Sequence, residues 1–415
     1  MIKEEYRFLN RLSDINNNTG VKFLHRAACP GSHCPMHMAL ATIRGMEGVS
    51  SLVVGMPECG YYSRYVAVTP FGKNGELHYV YELDSNEVVF GCRKGIKNAL
   101  LQMSKEGAKV IVIILTCVPA LIGEDMEAII EELDSVMDTK AVFIDSAHFK
   151  RNGYQSGLSD TLEQLVSLTK VNRESEKAKK VNILGFSRGE EYSCFKSILA
   201  ENGYAVEEYA HSIPMDKMNN LAEGQINIVM NTKMIKAAKL LYKKHKIPYI
   251  CLGDRYRWED ITKGYKEIFD LLQIKDANTL LRGKDFLKDY INSAVNKCTG
   301  VSFIATYPEF DTLAVTLFLT SLGMIPELLH VEEYDENSKF FKEEINALGQ
   351  DPYITYITDN TRVMEVFKEN SEFLSLGSCL GINQDRVIED VSLRTAASLL
   401  GFERSTELIS LILEK

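Results

Sequence analysis

The stretch "VIVIILTCVPALIG" (residues 110–123) opens on an unbroken apolar run, stops on Thr116 and Cys117, and then turns through Pro119. It falls short of the ~18 uninterrupted apolar residues that a membrane helix needs. It therefore reads as a strand over 109–117 that delivers a cysteine at its carboxyl end.

The same grammar repeats outward from it. "SLVVGMP" (51–57) and "AVFIDS" (141–146) read as strands, with helices over about 93–105 and 124–137 between them. After the charge-dense "TKVNRESEKAKK" (169–180), "VNILGF" (181–186), "INIVMN" (226–231) and "IPYICLG" (247–253) alternate with helical stretches. A third block begins at "GVSFIATYPEFDTLAVTLFLTSLGMIPELLHV" (300–331), continues through "YITYIT" (353–358) and "FLSLGSC" (373–379), and closes on the amphipathic "STELISLILE".

Short apolar runs alternating with amphipathic helices predict an α/β protein of three Rossmann-like, doubly wound domains with parallel sheets. The expected divisions are 1–172, 173–290 and 291–415, the last carrying a closing C-terminal helix. No block contains GxGxxG or GxxxxGK[ST], so neither a dinucleotide site nor a P-loop is indicated.

Composition narrows the function classes. The chain has 415 residues, 45% of them apolar, and a formal charge of -10, which fits a globular protein with two or three cores. A nucleic-acid or membrane-surface partner is not expected, because either needs a dominant basic field. The amino terminus "MIKEEYRFLNRLSD" has neither a signal-peptide core nor transit-peptide character, and a cytoplasmic location is expected. In that compartment the nine cysteines are expected to stay reduced, and Cys194, Cys251 and Cys298 read as core thiols.

Ligands of doubly wound folds sit at the carboxyl ends of the strands. Cys59 falls just beyond one strand, Cys117 ends another, and Cys34 opens a helix within "CPGSHCPMHMAL" (29–40). Three thiols at three element ends suit iron-sulfur ligation, since turns and helix starts let backbone amides approach sulfur. Zinc fits less well, because Cys29 and Cys34 form a loose C-x(4)-C with no second knuckle. Scattered core thiols remain the alternative from the residues alone. His33 and His37 share a helical face, a spacing that also suits solvated or backbone-bonded histidines.

"CPMHMALATIRGMEGVSSLVVGMPECGYYSR", "SNEVVFGCRKGIKNAL" and "LTCVPALIGEDMEAII" resemble the three cluster-binding segments of the nitrogenase component 1 superfamily. The spacing of Cys34, Cys59 and Cys117 resembles its β-type pattern, which selects Cys34 over Cys29. "VNILGFSRGEEYSCFKSILAENGYAVEEYA" and "INIVMNTKMIKAAKLLYKKHKIPYI" resemble the family's second domain, and "GMIPELLHV" its third.

The resemblance implies that Cys34, Cys59 and Cys117 bind an iron-sulfur cluster, either 4Fe-4S or P-cluster-like. Cys29 and Cys92 are further candidate ligands, or reduced thiols nearby. It implies an oxidoreductase subunit that takes low-potential electrons from an ATP-dependent iron protein and passes them to a small-molecule substrate. A second copy or a sister chain would cover the cluster. Met230 stands where the nitrogenase α chain has its cofactor-anchoring cysteine, and no His follows Cys379, so no FeMo-type cofactor and no dinitrogen reduction are expected.

Two other roles keep the same fold: a non-catalytic scaffold for metallocofactor assembly, and a subunit whose sister chain holds the substrate. The substrate is expected between the domains, near "HFKRNGYQSG" (148–157), "GFSRGEE" (185–191), "TYPEFD" (306–311) or "LGSCLG" (376–381). Lys150, Arg151 and Arg188 are candidate anion holders and Cys379 a candidate second metal ligand. No residue is assigned a proton-donating or other catalytic role.

Overall fold

The computed structural model describes residues 9–17, 34–66, 71–150, 153–170, 179–210, 214–275, 278–305, 311–355, 373–377 and 384–415. Three sheets organise them. The first runs His78–Glu82, Val49–Gly55, Val110–Leu115, Lys140–Asp145 in space, with every pair parallel. The second runs Ala205–Tyr209, Lys180–Leu184, Ile226–Val229, Tyr249–Cys251, again all parallel.

In both sheets the chain starts on an inner strand, steps to one edge and then crosses to the other side. The topological switch point therefore lies between Val49–Gly55 and Val110–Leu115 in the first sheet, and between Lys180–Leu184 and Ile226–Val229 in the second. These four strands are buried at every position, so apolar residues dominate them, with Ser50, Ser51, Lys180, Asn182 and Asn227 the buried polar exceptions.

Alternation along them sorts two cores. Val110, Val112 and Ile114 face one cluster, while Ile111, Ile113 and Leu115 face another, as a period of two requires. The first of these clusters also takes in Leu184, Val229, Ala238 and Leu241, so the first and second sheets share a core. A third cluster joins Val181, Ile183 and Ile228 of the second sheet to Phe303, Leu329 and Leu376 of the third. Packing thus runs continuously through the three layers.

The third sheet runs Asn10–Arg11, Tyr353–Thr355, Ile325–His330, Ser302–Ala305, Leu374–Leu376, Val387–Ile388. Its outermost strand is antiparallel, with Asn10 opposite Ile354 and Arg11 opposite Tyr353. The Arg11 guanidinium lies 3.5 Å from the Tyr353 ring centroid, a cation–π contact that fastens the amino-terminal strand to this sheet. The Asn278–Cys298 helix packs on Gly401–Leu413, on Glu190–Glu201 and on Trp258–Leu271, tying the second and third sheets together. No helix among the described residues is long and apolar enough to cross a membrane.

Candidate functional site

Cys59 and Cys117 come from the two strands that flank the first sheet's switch point. The chain leaves Gly55, turns at Met56 and enters the Pro57–Ser63 helix, which carries Cys59 in its first turn. Next to it the chain leaves Leu115 through Thr116 into the Cys117–Ile122 helix. The Thr116 backbone N–H and its hydroxyl both donate to the Val54 carbonyl, at 3.0 and 2.9 Å, which locks the two strand ends together. Gly55 is obligatory here. A Cβ on it would overlap Thr116 Oγ1 and lie 3.0 Å from Cys59 Cβ.

Cys34 arrives from a third element as the N-cap of the Pro35–Arg44 helix, with Pro35 at the first helical position. That helix lies on Ser156–Ser167, and the contact passes through Gly157. A Cβ there would overlap the Pro35 carbonyl oxygen and lie 2.8 Å from Ala39 N. Close backbone approach at Gly157 therefore fixes where Cys34 sits.

All three thiols are half-buried. Burial pushes the Cys34 thiol up to about 11, the charges of Cys117 and Cys59 push the same way, and a hydrogen bond from the Met36 backbone N–H opposes them. The three sulfurs are thus electrostatic neighbours. The His148 backbone N–H donates to Cys117 Sγ at 3.2 Å. Among the described residues, no three His, Cys, Asp or Glu side chains are gathered closely enough to hold one metal ion.

Of the further candidate thiols, Cys29 and Cys379 lie outside the described residues, as do His33 and Arg151. Cys92 is buried as the N-cap of the Arg93–Lys105 helix, where Glu124 accepts from the backbone N–H groups of Cys92 and Arg93. Burial, then the Glu124 charge, pushes its thiol up to about 12. Cys298 is buried in the cluster joining the second and third sheets, with Cys194 packed against it, and Cys251 packs against the cluster shared by the first and second sheets.

A second concave feature lies where the three sheets point their carboxyl ends at each other. This cavity, of about 250 Å³, is lined by Gln155 and Ser156 after the first sheet, Lys233 after the second, and Asp311, His330 and Glu332 after the third. The expected stretches 148–157 and 306–311 reach it through Gln155, Ser156 and Asp311. The 185–191 turn does not, because Arg188 N and Nε donate to Ser398 O and Oγ at 2.8 and 2.6 Å and draw it toward the carboxyl-terminal segment. Lys150 is paired with Asp145 at 2.5 Å.

Among the cavity residues that the sequence did not single out are Lys233, His330 and Glu332. His330 ends the apolar strand Ile325–His330, so the strand-end rule that found Cys117 would have found it too. Burial alone would raise the Glu332 carboxyl, but the hydrogen bond and charge of His330, with the charge of Lys233, hold it below the usual carboxylate range. Burial and the nearby Asp254 push Asp311 up to about 6, against the Ala314 N–H and Lys233.

Residues 34–386 match the family model for nitrogenase component 1 type oxidoreductase. The chain belongs to this family. As a member of the nitrogenase component 1 type it is 26% identical over 198 residues to the nitrogenase iron-molybdenum cofactor biosynthesis protein NifE of Clostridium pasteurianum. That match covers 46% of this chain and 42% of the relative, so the chain spans less than half of that relative's length. Two solved structures, nitrogenase Cp1 at pH 6.5 and at pH 5, superpose with TM-scores of 0.66 and 0.55. Identities are 14% and 16%, with 94% and 96% of this chain and 95% and 90% of theirs covered; the likeness is one of fold.

Proposed function

We propose that this nitrogenase component 1 type chain is an oxidoreductase subunit that holds an iron-sulfur cluster on Cys34, Cys59 and Cys117. It takes low-potential electrons from an ATP-dependent iron protein and delivers them to a small molecule other than dinitrogen. What supports this reading is that Cys59 and Cys117 follow the two strands flanking the first sheet's switch point, and that Cys34, on a third element, feels the charge of both. When bound, such a cluster supplies one-electron transfer at a potential set by sulfur hydrogen bonds and burial.

The donor set fits the group. Cys34 starts a helix whose Met36 N–H already reaches its sulfur, and Cys117 Sγ accepts from His148 N–H, an outer hydrogen bond of the kind that steadies a thiolate. Cys92, held protonated beside Glu124, suits a structural thiol better than a ligand.

The surroundings favour a covering chain. Tyr61, Tyr62 and Tyr65 follow Cys59 on one helix and its exit, Leu121 shares a helix with Cys117, and Val89 and Phe90 sit on the helix packed beside it. All are exposed, Phe90 by 85% and Tyr65 and Leu121 by 69% each. An apolar rim of this kind around a polar site is what a protein interface looks like before it is covered. The covering chain is a second copy or a sister component 1 chain.

A second reading is favoured by one observation: the curated relative is a cofactor biosynthesis protein. In that reading the chain is a scaffold on which a metallocofactor is assembled, and turnover is absent.

The test is anaerobic reconstitution with iron and sulfide, followed by metal and sulfide analysis and low-temperature EPR. Wild type should hold a reducible cluster, and Cys34→Ala, Cys59→Ala and Cys117→Ala should each lose it. A cluster that survives these substitutions, or zinc in place of iron, overturns the ligand assignment. ATP-dependent reduction by an iron protein with turnover of a substrate separates the oxidoreductase from the scaffold.

A further inference from the structure

We propose that His330 is the proton-exchanging group of the cavity between the three sheets, and that Glu332 is its positioning residue. His330 closes the strand Ile325–His330 and is 3% exposed. Its Nε2 lies 3.2 Å from Glu332 Oε1, while its Nδ1 is buried with no hydrogen-bond partner. A buried polar atom left unmatched costs free energy, so such atoms mark places where a ligand or water completes the set.

Glu332 decides which nitrogen is available. Its Oε2 accepts from the Gln155 backbone N–H at 3.2 Å, which anchors the carboxylate from the first sheet's side of the cavity. An ionised carboxylate can only accept, so the imidazole proton sits on Nε2 and Nδ1 keeps its lone pair. The occupant that fits is a small polar molecule presenting an O–H or N–H to Nδ1. His330 takes that proton and becomes imidazolium against Glu332, and the ligand atom keeps the electron pair, its negative charge facing the Lys233 ammonium. The reverse step returns the proton.

The other charged groups lining the cavity are Lys233, Lys236 and Lys239, Asp311, and Glu333, Asp335 and Glu336. Lys236 is paired with Asp160 at 2.7 Å and Lys239 with Glu336 at 3.3 Å. Lys233 acts on both Glu332 and Asp311. Asp311 spends an oxygen on the Ala314 N–H as a helix cap, at 3.2 Å, which leaves His330 as the base with an open nitrogen.

The experiment is a pH titration of the full chain with imidazole-15N histidine, His330 being assigned by its loss in His330→Gln. The expected result is a resonance pair with Nε2 protonated and Nδ1 bare at high pH, which gains a proton on Nδ1 reversibly as pH is lowered across the range in which the chain stays folded. In Glu332→Gln the midpoint should fall by about one unit and the tautomer preference should weaken, with recovery in Glu332→Asp. Should Glu332→Gln fail to fold, Lys233→Met supplies the independent arm, in which the midpoint rises. A His330 signal that stays fixed over that range, or midpoints indifferent to both substitutions, overturns the proposal and leaves His330 a sealed structural tether. No cluster is needed for the titration, so its failure and failure of the cluster reading are separate results.

Discussion

Glu191 and Glu403 cap each other's helices. The Glu191 carboxylate, at the start of Glu190–Glu201, accepts from the backbone N–H groups of Phe402 and Glu403 at 3.1 and 2.8 Å. Glu403, at the start of Gly401–Leu413, returns the bond by accepting from Glu191 N–H at 3.0 Å. Tyr265, fully buried, donates its hydroxyl to Glu191 at 2.5 Å. This junction holds the carboxyl-terminal helix against the second sheet's first helix.

Glu191→Ala should therefore remove a cap and leave buried donors without partners. The expected loss is about 3 kcal/mol of stability, combining a cap of about 1 kcal/mol with orphaned N–H and O–H groups. Urea denaturation followed by circular dichroism measures it; a loss below about 0.5 kcal/mol would mean that water replaces the carboxylate without penalty.

The same carboxyl predicts a pH dependence. Burial pushes Glu191 up to about 7, although the bonds from Tyr265, Glu403 and Phe402 oppose the rise. Because its folded value lies above its unfolded one, its contribution is fully present below the unfolded value near 4.5 and is lost as pH rises through about 7. Comparing Glu191→Gln with wild type at several pH values isolates it. The advantage of wild type should shrink between about pH 5 and 8, by at most about 3 kcal/mol.

Cys34 should alkylate slowly in the cluster-free chain. A thiol pushed up to about 11 from 9.0 exposes about 100-fold less thiolate at neutral pH than an unperturbed one. Iodoacetamide labelling read by mass spectrometry should accelerate steeply toward pH 11. Rapid labelling at neutral pH would place the sulfur in open solvent.

Two glycines set the sulfur positions, and each predicts a distinct failure. Gly157→Ala should push the Pro35–Arg44 helix away from Ser156–Ser167, at a cost of roughly 1–3 kcal/mol, and displace Cys34. Gly55→Ala should displace Cys59 by crowding it and Thr116 at once. Thermal melts together with iron content after reconstitution check both; unchanged melting and loading would mean that the backbones relax freely.

Legibility in the sequence followed burial. The strand Val110–Leu115 is covered on both faces and apolar without interruption, so its run announces itself; Val49–Gly55 and Ile226–Val229 are as buried and read as strands from their apolar majority, with Ser50, Ser51 and Asn227 the polar exceptions. His78–Glu82 and Ala205–Tyr209 are edge strands with partly exposed polar residues, and neither was singled out as a strand. Asn10–Arg11 could not be read at all, since its pairing partner lies beyond residue 350 and only a long-range contact makes it a strand.

By itself, then, the amino-acid order determined the alternation of strand and helix, the parallel layers that follow from it, and the placing of Cys34, Cys59 and Cys117 at element ends. Hydrophobic period and turn chemistry are local properties, and they suffice for that much. Only the tertiary structure decided that the two strands carrying Cys59 and Cys117 flank one switch point, that Gly157 brings Cys34 to them, and that His330 meets Glu332 beside a cavity walled by all three sheets. Those are relations between residues far apart in the chain, fixed by which buried faces pack together, and no window of neighbouring residues contains them.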